Sequence, residues 1–266
     1  MAPRRRTRTT ERDRSRRVLS QNFLADPAAV ARFVDAARPD PHGLVLEVGA
    51  GRGQLTRLLA ARCGRLTAYE VDPVAGTELA RVCATLPNAT HRQADFLATA
   101  APAEEFAVVG NIPWSLTAAV VRWSLAAPRL RTATLLTQLE YARRRAGDYG
   151  RWTRLTMLSW PEFDWRLAGR VPRTAFRPVP RVDAGILRIE RRAAPLLPPR
   201  GMPAYRRMVE LGFGGVGGSL AASLAREYPR ARLAAALRAS RLDPDIPVGQ
   251  VWPEQWLVLY RLLHAR

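Results

Sequence analysis

The chain contains no lysine: all 42 of its basic residues are arginine. It has two cysteines, Cys63 and Cys83, three histidines, and no apolar run near the ~20 residues that a membrane-spanning helix needs. The two cysteines have no metal-ligand spacing and lie in a segment that reads as intracellular α/β, which excludes a disulfide scaffold and a zinc centre. No metal and no membrane partner are expected. The basic N-terminal stretch is not followed by an apolar core, so it does not read as a secretory leader. Acids are also scarce, with 23 against the 42 arginines, a formal net charge of +19 and a pI of about 11.5. Genomic base composition can explain arginine in place of lysine, but not the excess of positive charge. Such a surface attracts polyanions with salt-sensitive affinity. Arginine also stacks on exposed bases and forks onto phosphates, which suits folded RNA.

What the chain does have is 266 residues, 47% of them hydrophobic, enough for one large or two modest cores. Residues 1–17 carry eight arginines and read as a disordered basic arm. Asp26-Pro27 reads as an N-cap and first turn, opening a helix through Ala37. The preceding Gln21-Asn22-Phe23-Leu24 is a loop stapled by Phe23, or a lid over a small ligand. Strands are expected at Leu44–Val48 and Phe106–Val109, both buried, at Leu66–Glu70, Ala89–Arg92, Ala133–Leu139 and Leu155–Trp160, and, with an alternating pattern, at Ala184–Ile189. Helices are expected over Gln54–Ala61, Pro73–Leu86 and Leu116–Ala126, and from Glu140 through Arg145. This alternation predicts an α/β doubly wound sheet, spanning 18–191. Residues 192–203, with four prolines, read as a linker. Periodicity at Tyr205–Leu211, Leu220–Glu227, Ala231–Ala239 and from Pro253 predicts a small helical domain over 204–266, expected to bind RNA.

Three places carry chemistry. Gly49-Ala50-Gly51-Arg52-Gly53 lies between a strand and a helix, where glycines let a ligand approach the backbone. Its third glycine falls one residue early for the dinucleotide pattern, which together with Glu47 disfavours an NAD oxidoreductase. Acids follow the next two strands. Glu70 stands where a carboxylate can accept from ribose hydroxyls, and Asp95-Phe96 can take an adenine amine and pack on its ring. Asp72 and Asp95 can equally be plain helix caps. Finally, Asn111-Ile112-Pro113-Trp114 closes a strand. A carboxamide oxygen and the Ile112 carbonyl can accept from an exocyclic amine, Pro113 fixes the turn, and Trp114 offers a stacking face. Phe176, between arginines in the Pro-interrupted segment 176–183, is a second candidate stacking ring or a core residue at a strand entrance.

Taken in order, Gln21-Asn22-Phe23-Leu24, Glu47-x-Gly49-x-Gly51-x-Gly53, Glu70, Asp95, Asn111-Ile112-Pro113-Trp114 and Phe176-Arg177-Pro178-x-Pro180-x-Val182-Asp183 resemble the Erm family of ribosomal RNA adenine-N6-methyltransferases. The resemblance covers Leu19 to Glu190. It implies S-adenosylmethionine as cofactor and S-adenosylhomocysteine as product. It places Gln21, Asn22, Leu24, Gly49, Gly51, Gly53, Glu70, Asp95, Phe96 and Asn111 around the cofactor. Asn111 and Ile112 would hold the target amine, Pro113 the turn, and Trp114 and Phe176 the flipped base. Relatives commonly carry Tyr or Phe where Trp114 stands. By the same resemblance the substrate is an adenine in the macrolide-binding loop of protein-free 23S rRNA, and the outcome is resistance to macrolides, lincosamides and streptogramin B. A cytoplasmic monomer is implied. The small-subunit 16S dimethyladenosine transferase shares most of these motifs. A non-catalytic RNA-binding or transcription-factor module on the same fold is the alternative from another class.

Overall fold

A computed structural model describes residues 22–215 and 219–264. The arm 1–17 and Gln21 lie outside the described residues, as do positions 216–218 of the glycine-rich stretch. Two compact units are present: one takes residues up to 138 together with 169–186, the other 139–168 and from 187 onward.

In the first unit, Asp26 caps helix α1 (Pro27–Ala37) by accepting from Ala28 N at 2.8 Å and Ala29 N at 3.4 Å. Strands β2 (Leu44–Val48), β3 (Arg65–Glu70), β4 (Ala89–Gln93), β5 (Phe106–Gly110) and β6 (Leu130–Gln138) follow. Between them run helices α2 (Gln54–Ala60), α3 (Pro73–Cys83) and α4 (Thr117–Ala126). The pairs β3/β4, β2/β3, β2/β5 and β5/β6 are all parallel. With β7 (Phe163–Val171) and β9 (Ala184–Arg191) they make a seven-stranded sheet ordered β4-β3-β2-β5-β6-β9-β7. The chain winds outward from β2 through β3 to β4, then returns to β5 on the other side of β2. Ligands of open α/β sheets bind at such a reversal, beyond the carboxyl ends of the strands. Here that point lies between Val48 and Gly110, which face each other in register. A Cβ at Gly110 would stand 2.8 Å from the Val48 carbonyl oxygen, so the strand end needs glycine to close this tightly.

A separate two-stranded ribbon pairs β1 (Phe23–Leu24) with β8 (Phe176–Arg177), antiparallel. Its inward residues Leu24 and Phe176 join Val30, Phe33, Val34, Leu55, Leu59 and Val109 in the core of this unit.

The second unit holds α5 (Leu139–Arg145), α6 (Arg154–Ser159), α7 (Met202–Phe213), α8 (Leu220–Leu224), α9 (Arg230–Ala239) and α10 (Pro253–His264). Leu155–Trp160, expected as a strand, is therefore helical. A short apolar run does not distinguish a buried strand from a buried helical turn, and Thr153 supplies the cap that decides it. Its hydroxyl oxygen accepts from Thr156 N at 3.4 Å and from Arg145 Nη1 at 2.6 Å. The strand is instead Phe163–Val171, where Asp164, Arg166 and Arg170 interrupt the apolar pattern. The expected linker 192–203 is anchored, with Arg192 N bonded to Glu162 O and Leu196 N to Pro161 O. Leu197 is buried, and α7 starts within the segment, at Met202. The contact boundary accordingly falls earlier than position 192 and groups α5 and α6 with the C-terminal helices.

Thr153→Val should lower unfolding stability by about 1–2 kcal/mol through loss of the cap. Urea titration of the two proteins checks this; equal midpoints would remove Thr153 from its assigned place.

Candidate active site at the sheet's reversal point

The loop after β2 turns through two glycines in the left-handed region, Gly49 at φ 68° and Gly51 at φ 57°. Its shape is held from below by Glu70, at the end of the neighbouring strand and almost wholly buried. One carboxylate oxygen, Oε2, accepts from Gly51 N at 2.8 Å. The other, Oε1, accepts from Val71 N and Asp72 N, both at 2.8 Å. Two carboxylate oxygens offer about four acceptor sites, so three backbone donors leave one. That is enough for a single hydroxyl. Sequence reasoning gave Glu70 to a ligand; the structure makes it first the clamp of the loop. Asp72 caps α3, as its alternative reading had it, accepting from Val74 N at 2.7 Å and Ala75 N at 3.3 Å. The residue between them, Val71, is 53% exposed. An apolar side chain left in water beside Glu70 is a candidate contact for a flat ring, a signal that the acids on either side mask in the sequence.

The second wall is the turn after β5. A Cβ on Gly49 would stand 3.6 Å from the Asn111 carbonyl oxygen, so loop and turn meet at the reversal point. Asn111 Nδ2 donates to the Asn22 carbonyl at 3.0 Å. With the amide's donor end committed to the main chain, Oδ1 is the end that can accept from a ligand. Ile112 is buried, Pro113 has φ −52°, and Leu116 N bonds to Pro113 O at 2.9 Å, closing a 3-10 turn over Trp114–Leu116. Trp114 is half-buried.

Asn22, Phe23, Gly49, Gly51, Glu70, Asn111 and Trp114 are thus brought together, while four expected ligand contacts are placed elsewhere. Leu24 points into the core of the unit and lines no surface. Gly53, at φ 83°, caps α2, and a Cβ there would meet Val82 at 3.0 Å. Phe96 is buried between Tyr69 and Trp123, with ring centroids 5.4 and 4.3 Å away, so neither face is open to an adenine. Phe176 is completely buried and meets Trp114 edge-on at 6.5 Å; it supports Trp114 and does not itself offer a face. In both phenylalanines the apolar ring gains more from burial than an exposed loop position allows. Asp95 remains exposed, its Oδ1 capping a short 3-10 turn through Leu97 N at 2.9 Å. The second oxygen of that carboxylate is the group suited to an adenine amine. Phe23 lies over the glycine loop, its Cε1 3.3 Å from where a Gly51 Cβ would be.

Asp183 fixes the far side. It accepts from Arg173 N at 2.8 Å and from Arg170 Nε at 3.0 Å, tying the end of β7 to the start of β9 around the segment that carries β8. The Arg173 amide, then the Arg170 guanidinium, holds its carboxyl below the ordinary carboxylate range.

A family model described as ribosomal RNA adenine dimethylase matches residues 12–265. The chain is 55% identical over 259 residues to an rRNA adenine N-6-methyltransferase of Streptomyces fradiae, covering 94% of this chain and 79% of that one. It is 39% identical over 247 residues to the mycinamicin-resistance protein MyrB of Micromonospora griseorubida, covering 93% and 78%. Among solved structures, the 23S rRNA methyltransferase ErmE superposes with a TM-score of 0.88 at 48% identity, over 91% of this chain and 99% of that one.

Beneath the glycine loop lies a second acid, Glu47, fully buried on β2. Its Oε2 accepts from Thr56 Oγ1 at 2.7 Å, and its Oε1 has no partner among the described residues. Burial pushes the carboxyl from 4.5 up to about 7; the Thr56 bond opposes this and the charge of Glu70 adds to it. Burial and Glu47 also push the Cys63 thiol up to about 11, which leaves it an inert core group. Between pH 4.5 and about 7 the folded protein keeps a proton on Glu47 that the unfolded chain has released. Stability from this group is therefore greatest below 4.5 and falls as pH rises through 7. Glu47→Gln removes that slope. Its stability relative to the parent should rise by about 2–3 kcal/mol between acid and pH 8, read from urea midpoints. A pH-independent difference would place the charge of Glu47 elsewhere.

Proposed function

The chain belongs to the ribosomal RNA adenine dimethylase family and is an rRNA adenine N6-methyltransferase; from that premise we propose that it methylates one adenine in the macrolide-binding loop of 23S rRNA. The observation that carries the choice of an amine is the Asn111 amide, whose nitrogen is tied to the Asn22 carbonyl, which leaves its oxygen as the end to accept from a ligand. The choice of large-subunit RNA rests on the likeness to ErmE over nearly the whole chain. By the same likeness, and by that to a mycinamicin-resistance protein, the outcome is resistance to macrolides, lincosamides and streptogramin B.

The site fits S-adenosylmethionine. The left-handed Gly49 and Gly51 keep the loop free of side chains next to the Asn111 carbonyl, and Glu70 retains one acceptor site for a ribose hydroxyl. Val71 and the exposed Asp95 provide an apolar face and an acceptor for an adenine ring, and Asn22 with Phe23 closes the loop side. When bound, the cofactor supplies a methyl group already activated on a sulfonium. The protein's part is then positional. Asn111 Oδ1 and the Ile112 carbonyl accept from the two N6 hydrogens of the target, which turns the nitrogen lone pair away from the purine ring and stabilises the positive charge it acquires. Trp114 stacks on the extruded base and offsets part of the few kcal/mol needed to unstack it. No strong base is required, because the proton on a cationic nitrogen is acidic enough to pass to water. An excess of arginine on the surface gives RNA its affinity. The enzyme acts as a monomer on protein-free RNA in the cytoplasm.

Methyl transfer from labelled cofactor to protein-free 23S rRNA and, in parallel, to immature 30S particles tests the target. A single labelled adenine in the macrolide loop is expected; label confined to 16S rRNA would overturn the assignment. Asn111→Ala should lower kcat by about 10²–10³, while cofactor affinity by calorimetry stays within a few-fold. Near-normal turnover would remove Asn111 from its role.

A further inference from the structure

We propose that the second compact unit carries an accessory platform for unpaired nucleotides of the rRNA substrate, formed by the rings of Tyr149 and Trp252. The proposal rests on the RNA substrate assigned above, but the platform is separate from the reacting adenine's site. Tyr149 is 70% exposed and sits in the left-handed region at φ 62°, between Gly147 at 75° and Gly150 at 63°. A non-glycine residue held there carries strain of about 1–2 kcal/mol, and an exposed ring returns no burial for it. Three bonds hold the turn in place: Gly150 N to Gly147 O at 3.2 Å, Arg151 N to Asp148 O at 3.4 Å and Trp152 N to Gly249 O at 2.7 Å. The ring is also held. Arg143 Nη1 donates to its hydroxyl at 2.6 Å, and the same guanidinium lies 5.3 Å from the ring centroid.

Trp252 is 52% exposed, although its neighbours Val251 and Pro253 are buried. Its ring meets Trp152 edge-on at 5.7 Å, and Trp152 is backed by Trp160 at 5.4 Å. The Tyr149 turn rests on the same Trp152, whose ring leaves no room for a Cβ on Gly147. Two aromatic faces are thus fixed in water around one buried support. Arg143 lies 3.0 Å from the Asp148 carboxylate, which neutralises the one acid of the turn. In the flanking sequence Arg151 is exposed, and so is Arg144, which pairs with Glu140 at 2.9 Å. Rings that are already immobile lose little entropy on stacking, and rings interleaved with arginines take bases and their phosphates. On a chain of net charge +19, this combination selects single-stranded nucleic acid over an apolar protein surface.

The test uses the full chain and two fluorescent probes, a single-stranded oligouridine and a blunt RNA duplex, read by anisotropy without cofactor. Tyr149→Gly and Trp252→Leu remove the rings while keeping, respectively, a backbone suited to φ 62° and an apolar contact to Trp152. Each should weaken single-strand binding about 10-fold and leave duplex binding within two-fold. Tyr149→Gly should also melt at or above the parent temperature, which a merely structural tyrosine would not do. Trp252→Phe should recover most of the affinity. With 23S rRNA the loss should appear in KM and not in kcat. Unchanged single-strand affinity in both variants, or an equal loss on the duplex, overturns the platform. Because binding is read without methyl transfer, this result is independent of which rRNA is methylated.

Discussion

The site depends on one buried carboxylate. Glu70 takes three backbone N–H donors, one from the glycine loop and two from its own strand end. A charge-assisted bond to a backbone amide is about twice as strong as a neutral one, and here it links segments nineteen residues apart. That link allows the loop to hold two left-handed glycines and still present a fixed surface. The loop's position in turn brings Gly49 against the Asn111 carbonyl, so the two walls of the candidate site share an edge. An acid at this point therefore shapes the loop before any ligand arrives.

The target side is built on the same plan, from the main chain outward. The Asn111 amide is oriented by a carbonyl eighty-nine residues earlier in the chain, on the residue preceding the β1 strand of the ribbon. That ribbon is pinned again where Ala25 N and Asp26 N both bond to Ala175 O. Asp183 ties the other end through Arg170 and the Arg173 amide. What these contacts supply is direction: they fix the main chain and the Asn111 amide before any ligand arrives.

How much of this was legible in the sequence follows from what each signal encodes. The central parallel strands were readable because both faces are covered, so β5 runs apolar from Phe106 to Val109 and β2 is broken only by Glu47. Asp26-Pro27 and Asp72-Pro73 marked two helix starts correctly, since a capping carboxylate followed by a fixed φ has few other uses. Leu155–Trp160 was misread because six apolar and hydroxyl residues fit either period, and the deciding cap, Thr153, lies outside the run. β7 escaped notice because half its residues face solvent, with Asp164 and Arg166 on that side. The aromatics show the deeper limit. Composition placed Phe96, Phe176 and Trp114 all at strand ends, but only tertiary packing decides which ring keeps a free face. Two of the three were taken into the interior.

Glu47 and Glu70 show how unevenly a fold can treat like residues. They lie on neighbouring parallel strands, with Glu47 opposite Ala68, and both are buried. Glu70 sits where strand and loop amides converge and finds three donors. Glu47, inside its strand, has its own backbone committed to the sheet and, among the described residues, finds the Thr56 hydroxyl alone. A buried carboxylate with one donor favours its neutral form, so Glu47 can remain beside Glu70 without placing two full charges in one core. A hydrophobic residue at position 47 would relieve the desolvation but leave Thr56 Oγ1 without its acceptor at the base of the loop. Below about pH 7 the pair is best understood as a unit in which a protonated acid and a hydroxyl support the floor on which the Glu70 clamp acts.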